Sequence, residues 1–140
     1  MYSVTIFKPP RWWDEEQRYV YDNKTHRRMN FASWDSFVTF LRKLSERPLN
    51  GKQDAELISP AIFKPDSKRR NDNVLAWAGW AAVDVDDTEI DGSVDDYIRS
   101  RYGDWEYVVY STASSSSEKP KFRIIFRLAR HIQRDEIKHF

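Results

Sequence analysis

Hydrophobic residues along the chain follow two periods, one typical of strands and one typical of helices. Strands are predicted where apolar residues alternate with polar ones or form short runs bounded by turn-forming residues. These segments are residues 2–7, 18–21, 28–31, 56–63, 75–86, 106–111 and 121–128. We expect segments 18–21 and 28–31 to form a hairpin around Asp22-Asn23-Lys24, and segments 106–111 and 121–128 to form a second one.

Helices are predicted where apolar residues recur every three or four positions behind a capping residue. One helix runs from a Ser33 cap to about Arg47, a second covers residues 94–102 between a Ser93 cap and Gly103, and a third begins near Asp135. Strands with helices between some of them place the chain in the α+β class. We therefore expect one domain over residues 1–140, built on a mixed, largely antiparallel sheet with flanking helices.

Two aspartates lie on one face of the most apolar predicted strand. Side chains alternate along a strand, so Asp84 and Asp86 project together, about 6.6 Å apart, while Val83 and Val85 point the other way. The apolar residues before them suggest a strand buried on both faces, where ionised carboxylates are costly unless a cation or hydrogen bonds compensate. With Asp87 beside them, the pair predicts Mg²⁺ or Mn²⁺ bound through hard oxygen ligands. The alternative is that these aspartates only end the strand and start a turn.

The last predicted strand has one apolar face and one basic face. Lys121, Arg123 and Arg127 share the basic face. If this face lies beside Asp84 and Asp86, carboxylates and cations converge on one cleft, the arrangement that metal-bridged phosphates require. The alternative is an ordinary solvated cationic face.

Two further groups of residues could contact nucleic acid. Lys68, Arg69 and Arg70 form a basic cluster that could bind a phosphate backbone, or only keep a loop soluble. Four aromatic residues could stack on bases but are expected to belong to the core instead: Trp12, Trp13, Tyr19 and Tyr21.

Composition excludes several other function classes. The chain has 140 residues, a net charge of +1 and no cysteine, so disulfides and thiolate zinc sites are absent and overall charge does not indicate nucleic-acid binding. The three histidines are scattered, and neither a Gly-rich phosphate loop nor a serine nucleophile in a glycine elbow is found. No apolar run is long enough for a membrane span and no signal peptide is recognised, so we expect a cytoplasmic protein.

Four sequence motifs occur in an order that resembles a known family. They are Arg-Arg-Asn-Asp-Asn-Val (69–74), Val-Asp-Val-Asp-Asp (83–87), Tyr-Ser-Thr-Ala-Ser (110–114) and Glu-Lys-Pro-Lys-Phe-Arg-Ile-Ile-Phe-Arg-Leu (118–128). Over about residues 55–135 the chain resembles the catalytic domain of the archaeo-eukaryotic primase superfamily, in its phage and plasmid primase-polymerase branch. The resemblance implies an RRM-like core that transfers nucleotides from NTP or dNTP to a 3′-hydroxyl on a DNA template, in a bacterial host and with a fused or separate helicase as a further partner.

The resemblance also implies roles for individual residues. Asp84 and Asp86 match the first motif and would bind two divalent ions, Mg²⁺ or Mn²⁺. The family places a histidine after the Ser/Thr-rich motif, and Ser115 stands there in this chain, a hydrogen-bond donor without charge. The incoming nucleotide would be contacted from this segment and the one after it, by Ser114, Ser115, Lys119, Lys121 and Arg123. The DNA backbone would be contacted by Lys68, Arg69 and Arg70.

One element of the family pattern is missing. The third motif, a downstream carboxylate on an apolar strand, does not follow Leu128, and the helix expected near Asp135 is expected to run unfinished to Phe140. We therefore expect this chain to be the N-terminal portion of the catalytic domain, binding metal weakly and polymerising poorly. Two alternatives stay open: a non-catalytic module that binds nucleic acid or nucleotide with a primase-like fold, and a metal-dependent nuclease.

Overall fold

Strands dominate the structure, a computed structural model that describes residues 1–24, 27–86 and 89–139. The strands are β1 (Tyr2–Phe7), β2 (Arg11–Trp13), β3 (Arg18–Val20), β4 (Arg27–Phe31), β5 (Leu57–Ser59), β6 (Ala61–Phe63), β7 (Val74–Trp77), β8 (Trp80–Val85), β9 (Tyr107–Ser111), β10 (Phe122–Arg127) and β11 (Ile132–Gln133). The helices are α1 (Trp34–Ser45), α2 (Val94–Tyr102) and α3 (Arg134–Ile137). This mixture confirms the α+β class. Within the described ranges, no helix is long and apolar enough to cross a membrane.

The strands form small antiparallel sheets whose orders are β4-β1-β5, β8-β10-β9, β11-β7-β6 and β2-β3. In the second of these, β10 is antiparallel to both neighbours, so β8 and β9 run parallel to each other with β10 between them. Because α2 connects β8 to β9, the unit is a split β-α-β arrangement. The predicted hairpin of β9 and β10 is confirmed, and β8 pairs with β10 of that hairpin.

Apolar side chains cover both faces of the β8-β10-β9 sheet. On one face, Trp80 and Ile125 are buried against Phe37 of α1, and the Trp80 and Phe37 ring centroids are 5.2 Å apart. On the other face, Ile124 is buried against Ile98 of α2. The face of β10 predicted to be apolar therefore packs on α2, whereas Ile125, on the face predicted to be basic, is buried on the α1 side.

The capping residues predicted for both longer helices occupy their expected places. The Ser33 hydroxyl accepts a hydrogen bond from the Ser36 amide, and the Ser93 hydroxyl accepts one from the Asp96 amide, each at 3.1 Å. α1 ends two residues before the predicted Arg47. α3 also ends early, at Ile137, so the prediction of a helix continuing to residue 140 is wrong over residues 138–139.

The predicted strand over residues 75–86 is wrong in one respect, because it is divided at Ala78-Gly79 into β7 and β8, which join different sheets. Gly79 has φ of +75°, and a Cβ at this position would approach the Tyr2 ring to 3.0 Å. Its carbonyl accepts the Leu128 amide at 3.0 Å, and the Ala78 amide donates to the Pro60 carbonyl at 3.0 Å. A backbone turn held by these contacts redirects the chain within an uninterrupted apolar run.

The hairpin predicted between segments 18–21 and 28–31 is also wrong. β3 pairs with β2 instead, with Tyr19 opposite Trp12, and β4 pairs with β1. A tight turn at residues 14–17 joins β2 to β3 in place of the predicted turn at Asp22-Asn23-Lys24. In this turn Gln17 adopts φ of +51°, and its amide donates to the Asp14 carbonyl at 3.3 Å. The strand partners of β4 therefore lie further away in sequence than the nearest turn signal suggests.

Candidate functional site

The β8 strand carries the two aspartates to an open position at the edge of its sheet. Asp84 lies in β8, and Asp86 directly follows Val85, the last residue of that strand. The prediction that they are buried is wrong: the Asp84 side chain is 48% exposed, and Val83 and Asp86 are exposed too. The last residues of an edge strand remain open to solvent. The free-energy cost of a buried charge therefore does not apply to Asp84 and Asp86 and does not favour a metal here.

Arg123 is the direct partner of Asp84 across the sheet. The two residues are opposed in the β10–β8 register. The Arg123 Nη2 donates to Asp84 Oδ2 at 2.9 Å, while Nε donates to Oδ1, so the pair is bidentate. The hydrogen bond to Asp84 raises the pKa of Arg123 above its usual value, so the guanidinium stays charged. The prediction that the basic face of this strand lies beside Asp84 is therefore confirmed for Arg123.

Tyr110 of β9 lies on the other side of Arg123 from Asp84 and completes a row of three side chains across the β8-β10-β9 sheet. It lies opposite Arg123 in the β10–β9 register, and its hydroxyl accepts a long hydrogen bond from Arg123 Nη1 at 3.4 Å. Burial, with a smaller contribution from Asp84, raises the pKa of the phenol, so the hydroxyl remains protonated at neutral pH. Tyr110 belongs to the Tyr-Ser-Thr-Ala-Ser motif, but no residue near it in sequence indicates that its hydroxyl contacts Arg123.

The other two cations of the basic face lie in different surroundings. Arg127 donates to Glu106 at 2.7 Å and to the Tyr2 hydroxyl at 2.9 Å, so it ties β10 to β9 and β1. Lys121 is half-buried at the start of β10. The structure therefore brings Arg123, and not Arg127, to the aspartate pair.

The connection between β9 and β10 lies at the same end of the sheet as Asp84 and Asp86, because Phe122 is opposite both Val85 and Ser111. This loop holds the remaining residues proposed to contact a nucleotide, Ser114, Ser115, Lys119 and Lys121. The Ser115 hydroxyl accepts the Lys121 amide at 2.9 Å, and the Ser115 amide donates to the Thr112 carbonyl at 3.0 Å. Ser115 thus fixes the shape of the loop, while Ser114 and Lys119 are exposed.

The basic cluster of Lys68, Arg69 and Arg70 lies beside β1, where Arg69 contacts Phe7. The Arg69 guanidinium is 5.2 Å from the centroid of the Phe7 ring, and its amide donates to the Asn23 carbonyl at 2.7 Å. Lys68 pairs with Lys24 in an isolated bridge. The cluster is exposed and rests on the N-terminal sheet.

The four aromatic residues predicted to be core are not part of either hydrophobic cluster in the described residues. Trp12 and Tyr21 are 41% and 44% exposed, and Trp13 and Tyr19 are half-buried. A two-stranded hairpin has too little area to bury four large rings, which explains why the prediction is wrong.

A cleft of about 180 Å³ opens beside Arg123 and Tyr110. Its wall comes from the end of α1, the segment at residues 49–58, the end of β9 and the base of the β2–β3 hairpin. The sequence did not predict this cleft, because the residues of α1 and of the 49–58 segment that line it lie far in sequence from the motifs at 110–114 and 118–128.

Divalent metal fits the donor chemistry of the β8 end. Asp84 and Asp86 offer hard oxygen ligands at a solvent-open position, as Mg²⁺ and Mn²⁺ prefer. Within residues 1–24, 27–86 and 89–139, no group of three or more metal-ligating side chains is found. The prediction that Asp87 adds to the site falls outside the described residues.

The chain matches no protein-family model, no curated protein and no solved structure.

Proposed function

We propose that the chain is a catalytic module of the primase-polymerase type, which transfers a nucleotidyl group from an NTP or dNTP to a 3′-hydroxyl on a DNA template. One observation carries the proposal: Asp84 and Asp86 lie at the same end of a split β-α-β unit as Arg123 and the β9–β10 loop. The order β8-β10-β9, with a helix between β8 and β9, is what an RRM-like core requires of its first three strands. The motifs from residue 69 to residue 128 supply the independent support from sequence.

In this proposal the acidic and basic residues have separate tasks. Asp84 and Asp86 would hold two Mg²⁺ or Mn²⁺ ions, which when bound would lower the pKa of the attacking hydroxyl and neutralise charge on the triphosphate. Arg123 contacts the triphosphate, and the backbone and side chains of Ser114, Ser115, Lys119 and Lys121 form the loop beside it. Lys68, Arg69 and Arg70 hold the DNA backbone. The reaction belongs to replication in the bacterial cytoplasm, with a helicase as a fused or separate partner.

Because Arg123 and Asp84 form a bidentate pair, Arg123 must leave Asp84 before the nucleotidyl transfer can begin. Both carboxylate oxygens of Asp84 face the guanidinium, so a divalent ion and Arg123 compete for them. A triphosphate offers Arg123 a stronger anionic partner than one carboxylate. Nucleotide binding therefore moves Arg123 onto phosphate and leaves Asp84 for the metal.

A primer-extension assay tests the proposal. Labelled dNTP or NTP, a primed template and Mn²⁺ are combined with the chain and with Asp84→Asn, Asp86→Asn and the control Asp104→Asn, which changes an exposed aspartate in the turn after α2. We expect slow extension by the unmodified chain and by the control, because no third carboxylate motif follows Leu128, and a further loss of about 100-fold or more in the other two. Wild-type extension rates in Asp84→Asn or Asp86→Asn would refute the metal-binding role, and shortened primers would indicate a nuclease.

A second candidate is a non-catalytic module that binds DNA or nucleotide. The observation that favours it is the same bidentate pair, since Asp84 already has a good partner without metal. This candidate predicts DNA binding without extension. Replacing Lys68, Arg69 and Arg70 by alanine should then weaken binding for all DNA sequences alike and reduce its salt dependence, whereas Asp84→Asn should leave DNA affinity unchanged or higher.

A further inference from the structure

The cleft beside Arg123 has apolar walls and a charged rim. Leu44 of α1, Leu57 and Ile58 of β5, and the Tyr110 ring form the apolar part. Arg123 lines the side next to Asp84. An apolar cavity that opens onto a guanidinium suits a ligand with one uncharged planar end and one anionic end.

Its size limits what can enter. A volume of about 180 Å³ exceeds the roughly 150 Å³ that accommodates a benzene ring, and it is below the roughly 300–1,000 Å³ of sites that enclose a whole drug-sized ligand. One heterocyclic ring system fits inside, and a sugar with phosphates must remain outside. Since Thr112 and Arg123 both line the cleft, the part left outside points to the β9–β10 loop.

A fixed carboxylate in the wall adds a polar contact. Glu56 lines the cleft with its side chain only 13% exposed, and it receives Arg47 Nη1 at 3.2 Å and Arg27 Nη2 at 3.3 Å. Two arginines hold this carboxylate in place, where it can accept hydrogen bonds from ring N–H or amino groups. An apolar slot with one anchored acceptor is a suitable receptor for a nucleobase.

We infer that this cleft is the nucleobase subsite of the nucleotide site, holding the base before it pairs with the template while the phosphates reach Arg123. The inference rests on the proposed function and extends it to the N-terminal part of the chain. Residues before position 55 lie outside the resemblance to the primase family, yet Leu44 and Arg47 stand in the cleft. The N-terminal sheet and α1 then contribute to substrate binding as well as to stability.

The test fills the cleft without touching the charged groups. Ala55 lines it, is half-buried and has an extended backbone (φ −91°, ψ 113°) that accepts any L side chain, so Ala55→Phe places a ring in the slot. Ala129→Phe makes the same change on an exposed turn and is the matched control. Calorimetry measures binding of each of the four dNTPs and, separately, of pyrophosphate, all with Mn²⁺.

We expect Ala55→Phe to weaken dNTP binding at least tenfold while pyrophosphate binding stays within twofold, and the control to change neither. Unchanged dNTP affinity in Ala55→Phe overturns the subsite but leaves the proposed function standing. If the unmodified chain binds neither dNTP nor pyrophosphate, the proposed function fails and the subsite fails with it.

A second measurement needs no variant and decides the matter if Ala55→Phe does not fold. Methyl NMR signals of Leu44, Leu57 and Ile58 should shift when a dNTP is added to the unmodified chain and should not shift with pyrophosphate. If both ligands shift these signals equally, the base lies elsewhere. The same follows if a dNTP binds but shifts none of these signals.

Discussion

Replacing Arg123 by glutamine should change metal binding and triphosphate binding in opposite directions. Arg123→Gln removes the cation that occupies both oxygens of Asp84, so Mn²⁺ alone should bind more tightly. The same change removes the guanidinium proposed to contact the triphosphate, so the nucleotide should bind more weakly. A residue that only stabilises the sheet would not produce these opposite effects.

The expected changes in Mn²⁺ and triphosphate affinity follow from how exposed the Arg123 and Asp84 side chains are. The Arg123 and Asp84 side chains are 26% and 48% exposed, so solvent screens the pair and its contribution is about 1 kcal/mol. Releasing Asp84 should therefore strengthen Mn²⁺ binding roughly fivefold. Losing a charge-assisted contact to phosphate costs about 1.5–3 kcal/mol, which corresponds to a loss of roughly 10- to 150-fold in triphosphate affinity.

Titration of Mn²⁺ followed by electron paramagnetic resonance, with and without a non-hydrolysable triphosphate, measures both effects. Arg127→Gln is the matched control, because Arg127 lies on the same strand and face but pairs with Glu106 and Tyr2. The control should leave both affinities unchanged. Mn²⁺ binding that is equal or weaker in Arg123→Gln would refute the competition between Arg123 and metal for Asp84.

Three other predictions concern the fold that holds the site. Trp80→Phe removes the indole N–H that donates to the buried Ser3 carbonyl at 2.8 Å, and urea denaturation should show a loss of about 1–3 kcal/mol; unchanged stability would contradict this. Gly79→Ala places a Cβ at φ of +75° and 3.0 Å from the Tyr2 ring and should lower stability by about 1–3 kcal/mol in the same assay, whereas Gly103→Ala, at φ of +54° but with no atom within 4 Å of the new Cβ, should cost less. The hydrogen bond from Arg130 lowers the pKa of Glu136 to about 2, so its contribution to stability should be complete above about pH 4.3 and disappear as pH falls towards 2. NMR titration of the Glu136 carboxyl measures this pKa, and an ordinary value near 4.3 would exclude the interaction.

Local signals predicted the elements whose chemistry is complete within a few residues. Ser93 and Gly103 bracket α2 because a hydroxyl cap and a glycine end act on the adjacent turn alone. Alternation along residues 122–127 predicted the burial of Phe122, Ile124 and Phe126, and it placed Arg123 on the other face. For the site, the sequence therefore provided the spacing of Asp84 and Asp86 and the face of Arg123.

Structural features that depend on residues far apart in sequence could not be predicted from local sequence signals. The division at Gly79 lies within an apolar run, and the contacts that impose it come from Tyr2, Pro60 and Leu128. Exposure of Asp84 follows from the position of β8 at a sheet edge, which is a property of pairing order rather than of hydrophobic pattern. The cleft likewise forms only when residues as separate as Leu44 and Tyr110 meet.

The parallel relation of β8 and β9 has a consequence for how the chain acquires its shape. These two strands share no ladder with each other, and β10, later in sequence than both, supplies all of their pairing within the sheet. During synthesis at about 5–20 residues per second, β8 and β9 must therefore wait with open edges until the chain has been made as far as Arg127. Ribosomal pausing or cleavage before that point would release a chain in which Asp84 and Arg123 never meet, and whose unpaired strands are free to pair with other copies.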